Sequence, residues 1–338
     1  MTIRLKPISE QVIVITGASS GIGLVTARAA AGRGAAVVLV ARQRSAIDEA
    51  AQDIRRCGGR AASFAADVAD AEAVRGAARQ ALQRFGALDT WVNNAGVSSY
   101  GRLDQTSPEE HRRIFETNYW GVVNGSMTAL EHLRENGGAI INIGSVLSDL
   151  AFPLQAAYVA SKHAVQGFTN ALRQEVQNAS LPVSITLIKP GTIDTPLSEH
   201  AASHLSAEPR NPPPVYAPDI VADAVLYAAK HPSRELVVGG GGRLLIGMYR
   251  LAPGLSDRLM SRVARSYQYS GEAPIRARHS GPFEPSGNLH VRSHIDYRVR
   301  ETSLYTWAIT HPVAAVSAAA AAGGVGLLLW ARARRSNG

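Results

Sequence analysis

The sequence predicts an α/β fold: a doubly wound, seven-stranded parallel sheet with helices on both faces, followed by a C-terminal extension. Three observations carry this expectation. From residue 11 to about residue 240, short apolar runs alternate with longer segments of helical period, the pattern of a parallel sheet covered on both faces. A glycine-rich turn, Thr16-Gly17-Ala18-Ser19-Ser20-Gly21-Ile22-Gly23, separates the first run from the first helical segment. Composition agrees, because 338 residues with 46% hydrophobic and 18% charged side chains supply a large core and exclude a disordered or collagen-like chain.

The strands are expected at residues 12–16, 36–41, 62–66, 90–93, 139–143, 183–188 and 236–238, each too short for a helix and rich in Val, Ile, Leu or Ala. Between them one helix should open after Gly23 and stop at Gly32 or Gly34. Others should cover 46–56 and 71–85, start at the Ser107-Pro108-Glu109 cap, and cover 156–178 and 218–229. Residues 196–218, with Pro212, Pro213 and Pro214 in a row, read as a loop insertion over the C-terminal edge of the sheet. The texture changes at Gly239–Gly242. This divides the chain into a main α/β domain at 1–240, a basic extension at 241–305 with an amphipathic helix at 256–267 and a Pro/Gly-punctuated connector at 274–287, and an Ala/Gly-rich segment at 306–338.

Charge follows the same division. Residues 1–240 hold 22 Lys+Arg against 22 Asp+Glu, and residues 241–338 hold 13 against 5, so the whole net charge of +8 lies in the tail. A neutral body argues against a nucleic-acid groove, and a basic tail points to an anionic surface such as membrane lipid. Residues 312–330 carry no formal charge and precede Arg332, Arg334 and Arg335, which makes 306–338 a candidate membrane anchor, spanning, in-plane or packed on a partner subunit. The expected location is the cytoplasm, with membrane association through this tail, since residues 1–10 hold no signal-like apolar stretch and Cys57 is the single cysteine. No metal site is expected: His200 and His204 are four apart but lack further ligands nearby.

Two patterns carry chemistry. Glycines in a turn between strand and helix let backbone N–H groups and the helix N-terminus approach a pyrophosphate. Tyr158 and Lys162, four apart in a helical segment, share one face, and an ammonium beside a phenol is expected to lower its pKa and fit it for proton transfer. With four lysines and ten tyrosines in the chain, such a pair seldom arises by chance.

The spacing T-G-x-x-x-G-x-G, with its strand-turn-helix context, resembles the short-chain dehydrogenase/reductase family, a Rossmann-type fold. The resemblance covers residues 11 to about 240 and adds several blocks. Asp67-Val68 resembles the pair that contacts adenine, and Asn93-Asn94-Ala95-Gly96 the block that supports the sheet and lines the cofactor cleft. Pro190-Gly191-Thr192-Ile193-Asp194-Thr195 resembles the segment whose Ile193 backbone and Thr195 hydroxyl hold the nicotinamide amide. Ser145 lies thirteen residues before Tyr158, the family's separation, and would orient the substrate oxygen. Asn118 resembles the helix asparagine that holds a water linking Lys162 to solvent. The implied catalytic set is therefore Asn118, Ser145, Tyr158 and Lys162. The implied cofactor set is Gly17, Ser19, Ser20, Gly21, Ile22, Gly23, Arg42, Asp67, Val68, Asn94, Ala95, Gly96, Tyr158, Lys162, Pro190, Gly191, Ile193 and Thr195.

The second strand ends Val40-Ala41-Arg42 without a carboxylate, so charge and resemblance together favour NADP(H) over NAD. The implied reaction is hydride transfer between nicotinamide and a carbonyl or alcohol carbon, with the proton moved by Tyr158. A small-molecule substrate, lipophilic if the site lies near a membrane, and a homodimer or homotetramer are expected. Two other readings are a non-catalytic dinucleotide-binding sensor, against which the complete catalytic set argues, and an epimerase or dehydratase of the extended branch, whose G-x-x-G-x-x-G loop this chain lacks.

Overall fold

The computed structural model describes residues 3–268, 281–285 and 289–318. Seven parallel strands form the central sheet: β1 (Val12–Thr16), β2 (Ala36–Ala41), β3 (Arg60–Ala65), β4 (Thr90–Asn93), β5 (Gly138–Ile143), β6 (Val183–Pro190) and β7 (Glu235–Val238). Their spatial order is β7-β6-β5-β4-β1-β2-β3. The order reverses between β1 and β4, and the crevice at such a switch point, beyond the strands' C-terminal ends, is where this class of sheet binds ligands.

Side-chain alternation along β1 shows how the core is divided. Ile13 and Ile15 pack on one side with α1 (Gly21–Gly32), α2 (Arg44–Arg56) and, farther along the sheet, the helix Asp219–Lys230. Val12 and Val14 pack on the other with α3 (Ala71–Phe85) and the helices Gly121–Asn136 and Ala156–Asn178. Burial on both faces explains why the strands read as unbroken apolar runs. Asp70 caps α3 through the amides of Glu72 and Ala73, and Gly86 ends it in the left-handed region.

Several strand and helix limits move relative to the sequence expectation. β3 starts at Arg60, which pairs with Ala36, and β6 runs on through Lys189 and Pro190 because both find partners on β7. β7 itself begins one residue early, at Glu235. α1 begins at Gly21, not after Gly23, and α2 reaches back to Arg44. The Ser107 cap opens one long helix in three parts: α4 (Pro108–Phe115), a π-helical turn (Glu116–Trp120) and α5 (Gly121–Asn136). Ser107 and Glu110 form the expected reciprocal capping box. α6 (Ala156–Asn178) and α7 (Asp219–Lys230) complete the layers.

Beyond residue 240 the described residues stay on this body. α8 (Gly240–Leu251) and α9 (Pro253–Gln268) pack against each other, and α8 also meets β7 and the turn Val146–Ser148. Residues Val299–Arg300 pair with Val215–Tyr216, and α10 (Leu304–Thr310) lies against α7 and β7, where the Thr306 hydroxyl accepts from the Gly239 amide at 3.0 Å. Among the described residues no helix is long and apolar enough to cross a membrane. Residues 319–338, including most of the uncharged run and all of its arginine cluster, lie outside the described residues, as do 269–280.

Candidate active site

A cleft of about 420 Å³ runs over the C-terminal ends of the strands, from the glycine-rich turn to α9. At one end Gly17 and Gly21 take positive φ, +66° and +49°, which side-chain-bearing residues rarely adopt. Behind the turn Asn94 donates to the carbonyls of Thr16 and Gly17 at 2.9 and 3.2 Å, and the Thr16 hydroxyl accepts from the amides of Asn94 and Ala95. A Cβ on Gly23 would stand 2.2 Å from the Gly17 carbonyl, so Gly23 allows α1 to close on the turn and does not itself line the cleft. Ser19, Ser20, Gly21 and Ile22 do line it.

The catalytic candidates converge at the middle. Ser145 follows β5, and its hydroxyl accepts from the Leu147 amide at 3.1 Å on the same side of the cleft as the Tyr158 phenol. Tyr158 and Lys162 rise one turn apart from α6, both buried, with Nζ 5.6 Å from the centre of the phenol ring. Nζ donates to the Ile143 carbonyl at 2.8 Å, which holds the lysine against the end of β5. Burial pushes the Tyr158 phenol up to about 12, opposed only in part by the Ser145 side chain, and pushes Lys162 down to about 8. The expectation of a lowered Tyr158 pKa is thus corrected: desolvation raises it, and Lys162 is not among the causes that lower it.

Asn118 is fully buried in the π-helical turn and does not reach the cleft surface. Its carbonyl accepts from the Val97 amide at 2.8 Å, and its amide donates to the Val97 carbonyl and to the Ser161 hydroxyl, both at 2.9 Å. The extra residue of a π turn re-aims such a side chain, a device frequent at functional sites. Here it ties the strand-end segment after Gly96 to α6, directly behind Lys162.

Pro190, at the end of β6, and Gly191, Ile193 and Thr195 beyond it line the cleft, positioned by Gly191 donating to Val238 and by the paired amides and carbonyls of Thr192, Asp194 and Tyr216. Arg42, Asp67 and Val68 line the far end, beside Ala95 and Gly96. Asp67 is engaged there by Arg113 of α4 at 2.5 Å. The donor set suits a dinucleotide: glycine-turn amides and a helix N-terminus for phosphates, a half-buried guanidinium at the end of β2, and buried hydroxyls near the reacting carbon.

Sequence reasoning missed one wall. Leu245 of α8 and Leu259, Met260 and Val263 of α9 line the same cleft, facing Leu147, Leu150 and Phe152. The signal was the Leu255, Leu259, Val263 spacing, whose inner members are turned to the body while Arg258, Arg262 and Arg265 are exposed. Gly241 and Gly242 also belong to the lining. His204 pairs with Glu110 at 3.0 Å, and among the described residues no group of three metal-ligating side chains comes together.

Comparison with known proteins agrees with this arrangement. Residues 11–206 match the short chain dehydrogenase family. The chain is 41% identical to the uncharacterized oxidoreductase YxnA of Bacillus subtilis, over 98% of this chain and 93% of that protein. It is 35% identical to dehydrogenase/reductase SDR family member 7B of Bos taurus, over 78% and 84%. Among solved structures, an alcohol dehydrogenase from the archaeon Thermococcus sibiricus complexed with 5-hydroxy-NADP shares 30% identity at a TM-score of 0.60, over 68% of this chain and 95% of that one. A short-chain dehydrogenase/reductase from Burkholderia phymatum in complex with NAD shares the fold at a TM-score of 0.67 and 24% identity, over 74% and 96%. With a family match over more than half its length and relatives this similar across most of it, the chain belongs to the short-chain dehydrogenase/reductase family of oxidoreductases.

Proposed function

We propose that the chain is an NADP(H)-dependent oxidoreductase that interconverts a carbonyl and an alcohol on a lipophilic small molecule. The observation that carries this reading is the buried Ser145, Tyr158, Lys162 group at the point where the glycine-turn half of the cleft meets its apolar half. The nicotinamide, when bound, supplies or takes the hydride. Tyr158, protonated at neutral pH, donates its proton to the substrate oxygen during reduction, and Ser145 holds that oxygen in line. Lys162 keeps a positive charge below about pH 8, and this charge stabilises the phenolate left behind. Asn118 positions α6 against the Val97 segment and so sets the height of Lys162. In the oxidative direction the same proton path runs backward.

The cofactor preference rests on Arg42, which stands where an acidic residue would select NAD. The substrate class rests on the wall of Leu147, Leu150, Phe152, Leu245, Met260 and Val263, beside which Ser145 and Tyr158 offer polar anchors for a carbonyl. The basic tail adds attachment to anionic membrane surfaces. A screen of apolar ketones and aldehydes with NADPH and NADH, with and without lipid vesicles, tests the reading: NADPH oxidation that depends on the carbonyl is expected, and no turnover of either cofactor with any carbonyl would overturn it.

A further inference from the structure

Arg42 has no carboxylate in an ion pair among the described residues; its cation is met by backbone dipoles. Its Nη1 donates to the carbonyls of Pro282 and Phe283 at 3.0 and 2.8 Å, and its Nη2 to that of Glu284 at 2.7 Å. Arg113, from α4, donates its Nε to the same Pro282 oxygen at 3.2 Å while its Nη2 holds Asp67 at 2.5 Å and its Nη1 lies 3.6 Å from the exposed Glu116. Two guanidiniums therefore converge on one oxygen. Burial and the charge of Arg113 both weaken the hold of Arg42 on its proton, and Asp67 offsets them only in part. Asp67 and Glu116 lie against Arg113, but among the described residues Arg42 is hydrogen-bonded to neutral carbonyls alone and is left short of negative charge, and three acceptors presented together to a planar guanidinium match the oxygens of a phosphate monoester. The same C-terminal stretch also meets the start of α1, where the Gly21 amide donates to the His290 carbonyl at 2.9 Å. Its carbonyls thus stand at two places in the cleft where the chain offers donors to an anion.

We propose that Arg113 joins Arg42 in reading the 2′-phosphate of the dinucleotide, and that the carbonyls of residues 282–284 hold the place of its oxygens until the phosphate displaces them. This rests on the NADP reading above and adds to it a second specificity residue and an internal competitor. The competitor selects for phosphate, because only a ligand that brings negative charge to Arg42 replaces the four hydrogen bonds that Arg42 and Arg113 give up. Gly281 sets its position: a Cβ there would lie 2.4 Å from the His200 carbonyl and 2.6 Å from the Ala201 carbonyl carbon, so any side chain lifts the stretch from the body.

Equilibrium binding to the full chain tests this with NADPH, NADH, 2′-AMP and 5′-AMP as probes. Arg113→Met is expected to weaken NADPH and 2′-AMP about tenfold or more, the worth of a hydrogen bond to a charged group, and to leave NADH and 5′-AMP within about twofold. Gly281→Val is expected to tighten NADPH and 2′-AMP several-fold without affecting NADH. Equal effects of Arg113→Met on phosphorylated and plain ligands would overturn the role of Arg113, and weaker NADPH binding in Gly281→Val would show a clamp closing over the cofactor, not a competitor. A dye coupled to the thiol that Phe283→Cys introduces, in a Cys57→Ser background, gives an answer that does not depend on either of those variants folding. Its emission should shift with 2′-AMP and not with 5′-AMP, and no shift with 2′-AMP overturns the displacement. The parent reading fails separately, if the unmodified chain binds NADH tighter or if Arg42→Ala weakens both cofactors alike.

Discussion

Burial pulls the proton affinities of Tyr158 and Lys162 away from their ordinary values in opposite senses, one up to about 12 and the other down to about 8. In the proposed mechanism carbonyl reduction needs a protonated Tyr158 beside a charged Lys162, so kcat/KM for reduction should fall as pH rises through about 8, where Lys162 loses its proton. Lys162→Arg, which keeps its charge, should move that limb upward; a limb unchanged in this variant would assign it to another group. The same shift sets a stability effect. Because the folded state holds Lys162 below its ordinary 10.5, burying its charge destabilises the protein at neutral pH, and this cost fades between about pH 8 and 10.5. Lys162→Met should therefore stop turnover without lowering the denaturation midpoint at pH 7, a separation that a role in holding the fold together would not give. These two residues were legible in the sequence because a helical spacing of four places them on one face. The work of Asn118 and the Arg113–Asp67 pair were not, since their partners lie on elements distant in sequence.

Among the elements, the strands 12–16, 36–41 and 90–93 were read to the residue, because burial on both faces leaves an unbroken apolar run bounded by polar or glycine turns. α8 was hidden by its own glycines. Gly239–Gly242 reads as a linker by composition, yet a Cβ at Gly241 would come within 2.6 Å of Pro214 and one at Gly242 within 2.6 Å of Val146. Close approach, not flexibility, requires glycine at both. α8 is held further by Arg250, which joins Lys189 on the buried Asp149, with Glu235 as the second partner of Lys189. Burial alone would raise the Asp149 pKa, but the hydrogen bonds from Lys189 and Arg250 hold it below the usual carboxylate range. Lys189→Met should cost about 3–5 kcal/mol in a denaturant titration, the cost of leaving a buried carboxylate without its main partner; a loss below about 1 kcal/mol would mean that water reaches Asp149. On α9, Met260→Gln should raise KM for an apolar ketone about tenfold, as expected from ~1–2 kcal/mol of lost apolar burial, and leave cofactor affinity unchanged. Equal loss for a small aldehyde would remove α9 from the substrate wall.

At the scale of the whole molecule, charge and chemistry divide differently along the chain. The sequence motifs all precede residue 240 and the charge excess follows it. The cleft, however, takes side chains from residues 241–263, and α10 is pinned to the body through Thr306. Composition cannot show this, because a basic amphipathic helix has the same pattern whether its apolar side faces lipid or its own domain. Truncation after residue 318 should preserve turnover and reduce binding to anionic vesicles, with the remaining attachment weakened by salt. Truncation after residue 240 should abolish turnover. The central claim is that Tyr158 moves the proton that accompanies hydride transfer from NADPH to a carbonyl, and single-turnover NADPH oxidation with an accepted ketone tests it most directly in the unmodified protein and in Tyr158→Phe. The account predicts a fall of more than roughly 10² to 10⁴ in rate with unchanged NADPH affinity; near wild-type turnover in Tyr158→Phe would contradict it.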